Sequence, residues 1–139
     1  MKHLTTYKIF ESKSETIKND LQDICLELTD IGLEVEIARY IKMAFPKYWW
    51  QLTIRYDKPG ETYIQIKKFN LNDIKEILIR ICDYLRYDAT YIGLWMQPAS
   101  LNKPDYININ NEKNDIIQQI ENLPNNEFTY ISVNYKIEE

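Results

Sequence analysis

Apolar and polar positions change period several times along the chain, and each change marks an element. In "SKSETIKNDLQDICLELTDIG" (12–32), Ile17, Leu21, Ile24, Cys25 and Leu28 recur every three or four residues, the stripe of an amphipathic helix. Ser12 and Glu15 have capping-box spacing, and Gly32 is a natural stop. The preceding "LTTYKIF" (4–10) is β-prone and reads as an opening strand. Alternation follows the helix: Leu33, Val35 and Ile37 face one way, Glu34 and Glu36 the other. "ARYIKMAFP" (38–46) carries no clear period, and Pro46 breaks it.

"YWWQLTIRY" (48–56) and "TYIQIKKF" (62–69) both alternate, and between them Pro59-Gly60 fits the centre of a type II turn. The pair is predicted as a hairpin, with Ile54 opposite Ile64, Leu52 opposite Ile66, Arg55 opposite Tyr63 and Trp49 opposite Phe69. A second helix is predicted over 70–86 from Leu71, Ile74, Ile77, Leu78, Ile81 and Leu85. Short strands follow at "TYIGLWM" (90–96) and "YININ" (106–110). A third helix carries Ile116, Ile117, Ile120 and Leu123, and a last strand covers 128–137.

The order is β-α-β-β-β-α-β-β-α-β, without a linker or a repeat, so 1–139 is read as a single α+β domain. Helices separated by antiparallel pairs predict a mostly antiparallel sheet with helices mainly on one face. A ferredoxin-like βαββαβ core with additions is one arrangement of that order.

Composition narrows the function more than the fold. Hydrophobic residues make up 45% and charged residues 27%, which suits a globular domain. The net charge of −4 argues against a duplex-DNA binder, which needs a basic face to neutralise phosphate. His3 is the only histidine, and Cys25 and Cys82 lack zinc-type spacing, so neither a metal nor another cofactor is expected. Both cysteines lie beside apolar stripe positions and read as buried thiols in a reducing cytoplasm, with no signal peptide or transmembrane run before them. The three glycines are scattered rather than gathered into a phosphate loop, and no carboxylate pair stands out from its surroundings. The chain is read as non-enzymatic.

The strands supply the functional candidate. Trp49 and Trp50 are consecutive, so in a strand they must point to opposite faces. With Trp50, Leu52 and Ile54 turned to the helices, Trp49, Gln51, Thr53 and Arg55 turn away. The same parity sends Tyr91 and Trp95 outward from 90–96, Tyr106 from 106–110, and Phe128 and Tyr130 from the last strand. Such a face is covered within the chain (by the third helix, the N-terminal segment or the 98–105 loop), a protein interface, a stacking platform for bases or, as the remainder, a sugar-binding surface or a catalytic cleft. Tyr, Trp and Arg are the residues that anchor protein interfaces. The reading taken is a protein-binding surface made by Trp49, Arg55, Tyr63, Trp95, Tyr91 and Tyr130, with Arg55 held over Tyr63 by a cation–π contact. Its partner is either a second copy or another protein. The alternative is single-stranded nucleic-acid binding on the same face.

The opening "MKHLTTYKIFES", running into "LQDICLELTDIGLEVEI", resembles the start of small uncharacterised proteins of tailed bacteriophages with AT-rich genomes. Those begin Met-Lys-x-Leu, place a Tyr and a Phe-Glu nearby, and run from an acidic helix into a short strand. The likeness covers residues 1–37. It implies a phage-encoded protein made in the bacterial host cytoplasm, acting as a virion component or on a host factor, and it brings no catalytic residues.

Overall fold

The computed structural model describes residues 2–39, 49–56, 68–99, 107–111 and 115–137, with side chains described from 13 onward except those of 107–111. Its elements in chain order are α1 (Lys2–Ile24), α2 (Leu26–Asp30), β1 (Glu34–Arg39), β2 (Trp49–Arg55), β3 (Phe69–Asn70), α3 (Leu71–Leu85), β4 (Ala89–Pro98), β5 (Ile107–Asn111), α4 (Ile116–Glu121) and β6 (Glu127–Ile137). The strands form one sheet in the order β1-β2-β6-β4-β5, every pair antiparallel, and β3 adds to β6 beyond the end of β2. The protein is therefore an α+β fold on an antiparallel sheet.

Burial follows strand parity. Trp50, Leu52 and Ile54 of β2, Ile92, Leu94 and Met96 of β4, and Ile131, Val133, Tyr135 and Ile137 of β6 are buried. They join Ile17 and Leu21 of α1, Cys25 at the junction, Leu28 of α2, the apolar stripe of α3, and Ile116 and Ile120 of α4 in one core. The described helices thus bury their apolar stripes against the inner face of the sheet. From β3 to β6 the chain keeps the βαββαβ order, but β6 lies between β3 and β4. The second and fourth strands of that unit are central, whereas a ferredoxin-like core centres the first and third.

Three sequence expectations are corrected. The stretch 4–10 is not a strand but part of α1. Apolar residues recur every third position at Leu4, Tyr7 and Phe10, a spacing compatible with a helix, and β-propensity yields to context. Ser12 and Glu15 accordingly lie inside a helix instead of capping one. Second, over 50–54 the two edges of β2 are taken by β1 and β6, leaving none for the predicted hairpin partner. Trp49 lies opposite Lys136, and Phe69 opposite Phe128. The turn at Pro59-Gly60 and residues 62–67 lie outside the described residues.

The third correction is Phe128, expected outward and found buried. The β4–β6 register shifts between Gln97–Tyr130 and Pro98–Phe128. An extra residue at that bulge reverses the side-chain parity beyond it and turns Phe128 inward, where it belongs to the core with Phe69.

Two helix ends show how the layers are tied. After α2, Gly32 has φ +92, its N–H donates to the Thr29 carbonyl, and the Leu33 N–H donates to the Leu28 carbonyl. That is a Schellman ending, closed by buried Leu28 and Leu33. At the start of α3, Asn70 makes no side-chain cap. The Leu71 N–H donates instead to the Asn126 carbonyl, and the Asn72 N–H to Asn125 Oδ1 at 3.0 Å. Lys75 Nζ donates to the Leu123 carbonyl at 2.8 Å, so α3 is fastened to the segment between α4 and β6.

Candidate interaction face

The outer face of the sheet is built row by row from the register. One row crosses Glu36, Thr53, Ser132 and Trp95, and the next crosses Ala38, Gln51, Asn134 and Gly93. Beyond the second row, Trp49 and Tyr91 flank Lys136 from either side. Beyond the first, Tyr130 pairs with Gln97 on β4, and Arg55 continues the outward set of β2. Trp49 and Trp50 are thus resolved by parity: Trp50 enters the core and Trp49 remains half-buried on the outer face.

Aromatic and neutral polar groups share this surface. The Trp49 and Tyr91 rings meet edge to face, centroids 4.9 Å apart at 66°. Partial burial of the Tyr91 phenol raises its pKa. Trp95 is 43% exposed in mid-sheet. Between these groups, Gln51 Nε2 donates to Ser132 Oγ at 2.9 Å, and Ser132 Oγ lies 3.4 Å from Asn134 Oδ1. Ser132 is only 2% exposed, so the chain of amide and hydroxyl groups satisfies a buried polar position.

The charges are sparse and of both signs. Arg55 Nη2 lies 3.7 Å from Glu36 Oε2. The expected contact of Arg55 with Tyr63 cannot be placed, because Tyr63 lies outside the described residues, as does Tyr106. Tyr130 is half-buried on the outer face as expected. An open groove of about 590 Å³ borders β1 and is lined by Thr29, Leu33, Glu34, Val35, Glu36, Thr53 and Arg55.

Reactive groups lie elsewhere. Cys25 and Cys82 are free and buried in the core, and desolvation pushes both thiols up to about 12, with Arg80 partly opposing the shift at Cys25. They are protonated and sequestered, unlike catalytic thiols. The Tyr84 hydroxyl donates to the Asp20 carboxylate. Burial, that hydrogen bond and the charges of Asp20 and Asp88 raise the pKa of Tyr84. Among the described residues no three His, Cys, Asp or Glu side chains converge on a metal position. No helix among them is long and apolar enough to cross a membrane.

Sequence reasoning passed over two parts of this face. The Gln51–Ser132–Asn134 chain joins strands 81 residues apart, which spacing along the chain cannot reveal. Gly93, in the middle of an alternating strand and two residues after Tyr91, did carry a signal, since a mid-strand glycine often marks a close approach. Comparison with protein families, curated proteins and solved structures returned no match.

Proposed function

We propose that this chain is a non-enzymatic protein-binding domain that self-associates through the outer face of its sheet. The observation that carries this reading is Trp95, 43% exposed in mid-sheet on a face rimmed by Trp49, Tyr91 and Tyr130. Large aromatic side chains are the usual anchors of interfaces, and packed sheets stack about 10 Å apart.

A second copy suits this face because the face complements itself. Consider a two-fold axis perpendicular to the strands, between the Ser132 row and the Asn134 row. In an untwisted sheet it sets Trp95 against the Tyr91–Gly93 position of the second copy, and Ser132 against Asn134. It also sets Arg55 against Trp49, and Lys136 against Tyr130. Each of these cations then meets a ring, and an isologous contact of this kind closes on itself as a dimer. A phage-type structural or accessory role, implied by the N-terminal resemblance, is compatible with such a domain.

The mixed charge favours protein over nucleic acid. Glu34 and Glu36 offset Arg55 and Lys136, whereas a single-strand binder combines its aromatic rings with a positive track. The test is the solution mass of the chain and of Trp95→Ala at low and high salt. A salt-resistant dimer that Trp95→Ala dissociates supports the proposal. A monomer that binds single-stranded oligonucleotide with steep salt dependence overturns it in favour of the alternative.

A further inference from the structure

We infer that Gly93 is the positioning residue of the outer face: the seat on which the Tyr91 ring lies and through which Trp49 is held. Its part in binding rests on the function proposed above. The seat itself stands on geometry alone.

Gly93 lies in mid-strand, paired with Asn134 on β6 and Asn110 on β5. A glycine there weakens a strand, so it needs a local cause. Backbone conformation is not that cause, because Gly93 has no positive φ. Close approach is. A Cβ at this position would stand 2.8 Å from the Tyr91 hydroxyl oxygen, 3.1 Å from Cε1 and 3.2 Å from Cζ. Carbon atoms in good contact sit about 3.5–4.0 Å apart, so the space a side chain would take is already filled by the phenol. This explains why Gly93 is buried although it belongs to the outer row between half-buried Tyr91 and exposed Trp95.

The constraint passes on to Trp49. Tyr91 and Trp49 stand on either side of Lys136, with β6 between their strands, and their rings meet across it at 4.9 Å. A ring lifted from the seat changes that edge-to-face contact without altering either aromatic residue. A preset pair loses little freedom when a partner arrives, which favours binding.

The experiment places Gly93→Ala in the full chain, alone and combined with Tyr91→Phe or Tyr91→Ala. Thermal midpoints are measured together with the near-ultraviolet circular dichroism band that Trp49→Phe removes. Gly93→Ala alone should lower the midpoint and abolish most of the Trp49 band. With Tyr91→Phe the loss should be partly rescued, because the nearest atom is gone. With Tyr91→Ala the sign should reverse, since alanine is then the better strand residue. Gly93→Ala that leaves the Trp49 band intact, or raises the midpoint in all three backgrounds, overturns the inference. Solution mass read on the same samples separates the two proposals. A lost band with the dimer unchanged upholds the seat and removes Trp49 from binding.

Discussion

Trp50→Ala and Trp49→Ala alter neighbouring residues of one strand, yet the sheet gives them very different costs. Trp50 is 7% exposed, and its ring is nearly parallel to Tyr135, with centroids 6.5 Å apart at 9°. The Arg39 guanidinium lies over it at 5.5 Å. Truncating a buried tryptophan costs about 3–5 kcal/mol in transfer and cavity terms together. Trp49 is half-buried, and its ring meets Tyr91 edge to face. An aromatic pair contributes about 0.5–1.5 kcal/mol beyond area burial, so with its partial burial Trp49→Ala should cost about 1–2 kcal/mol.

The expected gap is thus about 2–3 kcal/mol. With a urea slope of about 1–3 kcal/mol/M, it separates the two midpoints by about 0.7–3 M. Unfolding should be followed by far-ultraviolet circular dichroism, because each substitution removes a fluorophore. Total stability of about 5–15 kcal/mol leaves both variants measurable, and Trp50→Phe serves if Trp50→Ala does not accumulate. Equal costs for the two substitutions would contradict this difference in burial. They would mean that Trp49 packs into a second core, with the outer face covered within the chain.

Further outcomes follow from the helix ends and the thiols. Gly32→Ala should destabilise by about 1–2 kcal/mol through its left-handed backbone alone, because a Cβ there comes no closer than 3.7 Å to Tyr56; Gly32→Asn should recover much of the loss in a chemical denaturation series. Asn125→Ala should cost about 1 kcal/mol by removing the acceptor of the Asn72 N–H, with faster amide exchange confined to the first turn of α3. Cys25 and Cys82 should resist a thiol reagent at pH 8 until the chain is unfolded. Their pKa is raised by folding from 9.0 to about 12, so the stability they contribute is complete below pH 9 and is lost as pH rises toward 12. Denaturation midpoints of the wild type and of Cys82→Ala across that range check the sign.

What the sequence disclosed was local, and what it concealed was mostly long-range. Trp50, Leu52 and Ile54 announce their shared face because strand parity is a property of consecutive residues. The α3 stripe is legible for the same reason. The partners of β2 are not, since a nearby alternating segment looked as suitable as β6, about eighty residues away. The inward turn of Phe128 is not legible, because one bulge reverses parity with no mark in the alternation itself. The α3 cap was missed because Asn125 is remote from Asn72 in sequence. For the outer face, parity alone turns Trp49, Tyr91, Trp95 and Tyr130 outward, but it does not reveal the packing of Tyr91 on Gly93.

The solution mass of the purified chain by size exclusion with light scattering, across a wide concentration range at low and high salt, decides whether the outer face joins two chains. Self-association through an aromatic, weakly charged face predicts twice the chain mass at both salt concentrations, falling to a single chain in Trp95→Ala while that variant stays folded. A wild-type chain that remains single at every concentration, or a dimer that dissolves as salt rises, would contradict it.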